Sequence, residues 1–140
     1  MLSSNVLYYK NVIKALHKTS NLLDKIKIDT YIILNRLYME VIFKNEHLQE
    51  LYTSGKSSKY KKVPTQVVRK FPLAVRILQQ IKVIQDIWKY PGYNFEKLEG
   101  TNQYSMRLDR TWRLIMEIDW TNEEKTIGII GLEDLTHHYQ

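Results

Sequence analysis

Arg107 and Arg113 stand on either side of Asp109-Arg110-Thr111. If those three residues form a hairpin loop, Leu108 pairs with Trp112 and Arg107 faces Arg113 directly across the ladder. Like charges at one rung destabilise a sheet, so the pair is more easily explained if an anion sits between the two guanidiniums. The chain closes with His137-His138-Tyr139-Gln140, which brings imidazoles that titrate near neutrality and a phenol. Metal-free phosphodiester cleavage needs cations for the developing charge and a group that moves a proton, and this ensemble contains both. A solvated tail is the alternative for the histidines. A metal pair is not expected, because adjacent residues do not share a strand face.

A second concentration of charge lies upstream. Lys56, Lys59, Lys61, Lys62, Arg69, Lys70, Arg76 and Lys82 follow Glu50 and precede Asp86 without one intervening carboxylate. Such a wall is either a solvated surface or a set of phosphate contacts, and in the second case each contact steepens the salt dependence of binding. Tyr93 and Tyr104 lie near turns at Gly92 and Gly100, where they could stack on bases, although core packing is the simpler expectation. The sequence holds no phosphate-binding Gly-rich loop with Lys, no H-E-x-x-H, no G-x-S-x-G and no acidic trio for two-metal catalysis. No cofactor or metal is expected.

The elements that must carry these residues are legible in outline. Tyr104, Met106 and Leu108 alternate with Ser105, Arg107 and Asp109; Trp112, Leu114, Met116, Ile118 and Trp120 oppose Arg113, Glu117 and Asp119. That period of two is a hairpin with one apolar face. Thr121–Lys125 turns the chain into a last strand over Thr126–Leu132. Upstream, Met39–Phe43 reads as a strand, and Asn45 caps a helix running to about Tyr52. Pro64 suits the start of a second helix with Val67, Val68, Phe71, Val75, Leu78, Ile81, Ile84 and Trp88 as its buried stripe. It should end near Tyr90-Pro91-Gly92, with a kink at Pro72 or a start only near Phe71. The predicted order is β-α-α-β-β-β, an α+β domain.

Composition sets the outer limits. The chain has 140 residues, 44% of them hydrophobic and 26% charged, with five Gly and three Pro, as in a soluble globular domain. The absence of Cys excludes a disulfide framework and a thiolate site. No apolar run reaches the ~20 residues of a membrane span, and no secretory leader pattern opens the chain, so a cytoplasmic protein is the expectation. The net charge of +6 favours an anionic partner, nucleic acid before membrane. Residues 1–38 hold six basic and two acidic residues and thus carry +4 of it. Val12, Leu16, Leu22, Leu23, Ile26, Ile33, Leu34 and Leu37 recur there at helical spacing, with Ser20-Asn21 as a break or N-cap. This segment reads as a helical extension of a domain over 39–140. It is a basic arm for RNA or an acidic partner, a packing appendage, or a non-native upstream extension, since Met39 would itself make a natural start.

Taken in order, Met39-Glu40-Val41-Ile42-Phe43, Leu48-x-x-Leu51-Tyr52-x-x-Gly55-Lys56, Pro64-x-x-Val67-Val68-Arg69-Lys70, Leu98-x-Gly100, Ser105-Met106-Arg107-Leu108-x-x-x-Trp112-Arg113 and His138-Tyr139 resemble the HigB-type toxins of type II toxin–antitoxin systems, in the RelE/ParE superfamily. The likeness covers residues 39–140. It implies two helices packed on an antiparallel sheet of about four strands, and ribosome-dependent cleavage of mRNA without a metal. It also implies a HigA-like helix-turn-helix antitoxin, through which alone operator DNA would be bound. In that frame Arg107 and Arg113 hold the non-bridging phosphate oxygens, His138 moves the proton and Tyr139 orients base or ribose. Glu96 stands where some members carry a His and could act as a base. Lys56, Lys59, Lys61, Lys62, Arg69, Lys70 and Arg76 would meet ribosomal RNA phosphates. The same scaffold also serves ParE-like toxins that inhibit DNA gyrase without cutting RNA, and a basic RNA-binding domain without activity is a third reading.

Overall fold

The computed structural model describes residues 14, 18 and 21–137, the side chains of residues 34–37 excepted. Its elements are α1 (Leu22–Leu37), β1 (Glu40–Phe43), α2 (Glu46–Ser54), α3 (Thr65–Gln80), 3-10 turns at Ile84–Lys89 and Pro91–Tyr93, then β2 (Glu96–Lys97), β3 (Gln103–Arg107), β4 (Trp112–Trp120) and β5 (Gly128–His137). The α+β class and the β-α-α-β-β-β order are those expected, with one strand added. β2 spans two residues, too short to show an alternation in the sequence. The five strands run β1-β5-β4-β3-β2, with β1 parallel to β5 and every other pair antiparallel.

Local chemistry sets the helix limits. Asn45 accepts the His47 N–H at 2.9 Å and so caps α2, which ends at Gly55 in the left-handed region at φ 73. α3 runs unbroken through Pro72, against the expectation of a late start. The missing hydrogen bond costs about 3 kcal/mol, whereas each of Val67, Phe71, Val75 and Leu78 returns roughly 1.5–3 kcal/mol on burial. The helix stops at Gln80 rather than near Tyr90 because the next backbone groups are engaged elsewhere. Asp86 Oδ2 accepts from Lys82 N–H at 3.0 Å and Val83 N–H at 3.3 Å, and Ile84 N–H donates to Thr126 O at 2.8 Å. Ile84 is still buried, but Trp88 points outward.

Leu48, Leu51, Val67, Phe71, Ala74, Val75 and Leu78 cover one face of the sheet, where Met106, Leu108, Leu114, Met116, Ile130 and Leu132 meet them. The predicted apolar alternation of the hairpin is therefore the core face. β5 reaches His137, five residues beyond its expected end at Leu132. Ile115 pairs with Asp134 but Met116 pairs with Leu132, so Glu133 is an extra residue and β5 bulges there. Upstream of β1, Leu22–Leu37 is the helix α1, with Asn21 accepting the Leu23 N–H at 3.1 Å. Ile28 is buried, whereas Leu22, Leu23, Ile26 and Ile33 are exposed. Val12 and Leu16 lie outside the described residues, and no helix among those described is long and apolar enough to cross a membrane.

Candidate functional site

The β3–β4 hairpin carries the two arginines. Its loop is Asp109-Arg110-Thr111, closed by Leu108 N–H donating to Trp112 O at 2.9 Å. One rung further, Arg107 pairs with Arg113. Because the preceding rung carries the hydrogen bond, this one falls at a non-hydrogen-bonded position, where opposite Cα atoms lie about 4.5 Å apart and side chains are closest. Both residues project from the face opposite the α2–α3 layer, since Met106, Leu108 and Leu114 take the core side. Arg107 is exposed, whereas Arg113 is only 9% exposed. Arg113 Nη1 donates to Asp109 O at 3.1 Å and to Trp112 O at 3.2 Å. Those carbonyls orient the guanidinium without neutralising it. Among the described residues neither arginine has a carboxylate partner.

The same face holds further groups in register. Ser105 lies two residues before Arg107, is buried, and its Oγ has no hydrogen-bond partner among the described residues. Glu96 of β2 pairs with Ser105 and is exposed, so it shares the arginine face. Thr136 of β5 pairs with Arg113 on the other side. His137 falls in the opposite alternation: it pairs with Trp112 and meets its ring edge-on at 5.3 Å between centroids. His138 and Tyr139 lie outside the described residues.

A charge network unforeseen in the sequence occupies the other end of this face. Lys44 Nζ lies 3.1 Å from Glu117 and 3.4 Å from Glu133, and Gln103 donates to Glu133 at 2.7 Å. A Cβ on Gly131 would come within 2.5 Å of Lys44 Cε, so the missing side chain there leaves the lysine its path. Burial alone would lower the Lys44 ammonium; Glu117 and Glu133 outweigh it and hold its pKa above the ordinary lysine value. The network sets one ammonium against two carboxylates, whereas the arginine rung carries positive charge alone. No motif announces the network, because Glu133 joins it only through the bulge.

The cationic segment divides on inspection. Lys59 pairs with Asp134 at 3.2 Å, and Tyr60 OH donates to the same carboxylate at 2.5 Å. Asn45 Nδ2 donates to Tyr60 OH at 2.8 Å and to Glu133 O at 3.0 Å, fastening the α2–α3 loop to β5. Burial, and then the Asp134 charge, push the Tyr60 phenol far above its ordinary value. Lys70 Nζ stands 5.2 Å from the Tyr93 ring centre, and Tyr104 stacks on Phe95, so each half-buried ring already has a partner within the fold. Lys56, Lys61, Lys62, Arg69, Arg76 and Lys82 are exposed, without ion pairs among the described residues.

Asp109 builds the loop that sets the arginine register. Its Oδ1 accepts from Thr111 N–H at 2.8 Å and Trp112 N–H at 2.7 Å, and its Oδ2 from Gln66 Nε2 at 3.3 Å. Burial works to raise its carboxyl, but the Trp112 and Thr111 amides prevail and hold it below the ordinary carboxylate range. Asp109→Ala is expected to destabilise the fold by about 1 kcal/mol at neutral pH, the net worth of such bonds. A carboxyl depressed by folding stabilises above its unfolded pKa and loses that contribution as pH falls through the folded value. Chemical denaturation of both proteins from pH 7 downward should therefore show the difference shrinking in acid; a gap independent of pH would mean that the charge plays no part.

A model of the HigB-like toxin family, described as RelE-like toxin of the type II toxin–antitoxin system HigB, matches residues 41–127, more than half of the chain. Among solved structures the chain is similar to the YoeB/ParE toxin from Agrobacterium tumefaciens, at 12% identity and a TM-score of 0.42, with 72% of this chain and 100% of that one covered. It is also similar to a YoeB-YefM complex from Staphylococcus aureus, at 16% identity and a TM-score of 0.44, with 72% and 98% covered. No curated protein matches.

Proposed function

Because the chain belongs to the HigB-like family of RelE-like toxins of type II toxin–antitoxin systems, we propose that it acts as a ribosome-dependent endoribonuclease. The observation that carries this reading is the Arg107–Arg113 rung, two cations at the closest approach a sheet offers with no carboxylate among the described residues to offset them. A phosphodiester between them removes the repulsion and receives donors at its non-bridging oxygens, where charge builds as phosphorus becomes pentacoordinate. The ribose 2′-OH attacks in line. Its oxygen bonds to phosphorus as the P–O5′ bond breaks, leaving a 2′,3′-cyclic phosphate and a 5′-hydroxyl. One proton leaves the 2′-OH and one reaches the departing 5′ oxygen, so the site needs a base and an acid but no metal. His138 takes a proton-transfer role in this scheme, Glu96 offers a carboxylate as a second candidate for it, and Tyr139 orients base or ribose.

In the same reading residues 39–140 form the toxin domain and residues 1–38 an appended helical extension. The exposed cations from Lys56 to Arg76 contact ribosomal RNA phosphates, and a HigA-like helix-turn-helix antitoxin masks the toxin and alone contacts operator DNA. Inducing the chain in cells and mapping transcript ends tests the activity. Cuts inside translated frames, lost when initiation is blocked, are expected. Intact transcripts with a DNA-damage response would instead select the gyrase-inhibiting alternative and overturn the nuclease.

A further inference from the structure

The α2–α3 loop and the first turn of α3 enclose a groove of about 560 Å³. Pro64 begins α3 without a side-chain cap, and no acidic residue stands in the first turn. Val67 and Val68 both donate to Pro64 O, which leaves the Thr65 and Gln66 N–H groups without acceptors among the described residues. Helix N-termini in this condition favour anions. An independent observation points the same way: Ser57 lines the groove, is only 8% exposed, and its Oγ has no hydrogen-bond partner among the described residues. Lys56 and Lys61 line the groove as well, exposed and outside any ion pair among the described residues. The one carboxylate in the lining belongs to Glu50, which lies 3.7 Å from His47 Nδ1.

Two ammonium groups, a buried hydroxyl and uncapped amides form a set rich in donors, complementary to a tetrahedral oxyanion. We propose that this groove binds one phosphate group of an RNA backbone. The assignment rests on the reading of RNA as the partner. RNA is favoured over a free ion because exposed Lys62 and Arg69 carry the positive surface beyond the groove, which a polyanion can use and a single phosphate cannot. Gln66, next to Thr65 of the groove lining, donates to Asp109 of the hairpin loop at 3.3 Å, which ties the start of α3 to the hairpin that carries the arginines.

The test titrates the ¹⁵N-labelled full chain with inorganic phosphate and, separately, with a 2′-O-methyl oligoribonucleotide, which keeps the phosphodiesters but cannot be cut. Saturable shifts of the Ser57, Thr65 and Gln66 amides are expected with both, the oligonucleotide saturating at ~10-fold lower concentration. Lys61→Ala and Ser57→Ala should each weaken binding ~10-fold, the loss of one bond to a charged group. Ser57→Ala should also keep or raise the melting temperature, since it removes an unsatisfied hydroxyl. Absent shifts, or shifts that both variants leave unchanged, overturn the site; an oligonucleotide that binds no tighter than phosphate overturns the RNA assignment. An unsubstituted chain that shows the shifts but cuts no message counts against the nuclease alone, and one that cuts message without the shifts counts against the groove alone.

Discussion

Arg113→Ala is expected to lower mRNA cleavage on programmed ribosomes at least ~30-fold, equivalent to ~2 kcal/mol of transition-state stabilisation. Arg113 is buried and held by two carbonyls, so its guanidinium is aimed before any ligand arrives. Preorganised donors of this kind contribute most, because nothing reorganises as charge develops on the phosphate. The fold should tolerate the change. Truncation frees two carbonyls at about 1 kcal/mol each and relieves a like-charge rung, and these effects oppose one another. Arg113→Lys keeps the charge but loses the planar fork, and is expected to fall between the two. Single-turnover cleavage rates alongside thermal melts check the set. Unchanged cutting by a folded Arg113→Ala protein would remove this residue from the site.

Exposed Arg107 should matter less to stability than to binding, and the contrast between the arginines was only half legible in the sequence. Their opposition was readable, since three loop residues between two alternating strands fix the register by counting. Their unequal burial was not, because alternation assigns a face and says nothing of what covers it. The Lys44–Glu117–Glu133 network escaped for a related reason. Ile130, Leu132 and Leu135 are core residues, and the step of three after a step of two is the sequence trace of the bulge. Read as the end of a strand, that slip cut β5 short at Leu132 and left Glu133 and Asp134 in a tail. The end of α3 was hidden likewise: apolar spacing continues to Ile84, but Asp86 takes the Lys82 and Val83 amides. Side-chain competition for backbone donors leaves no mark on hydrophobic periodicity.

The second large effect concerns which group moves the proton. His138→Ala should reduce cleavage ~100-fold or more, the usual contribution of a positioned general acid or base. Glu96→Gln should cost less, because Glu96 is exposed and sits one register position along β3 from the arginine rung. The pH profile separates the two more firmly than the rates. If the imidazole transfers the proton, kcat/KM keeps a limb near neutrality in Glu96→Gln and loses it in His138→Ala. If the carboxylate is the base, Glu96→Gln loses the cutting that His138→Ala retains, and His138 becomes a positioning or binding group. The arginines hold the phosphate in both cases, so a double variant of His138 and Glu96 should still bind an uncleavable message on the ribosome while cutting nothing. Binding lost together with cleavage would place both residues in substrate capture and leave the proton transfer to another group.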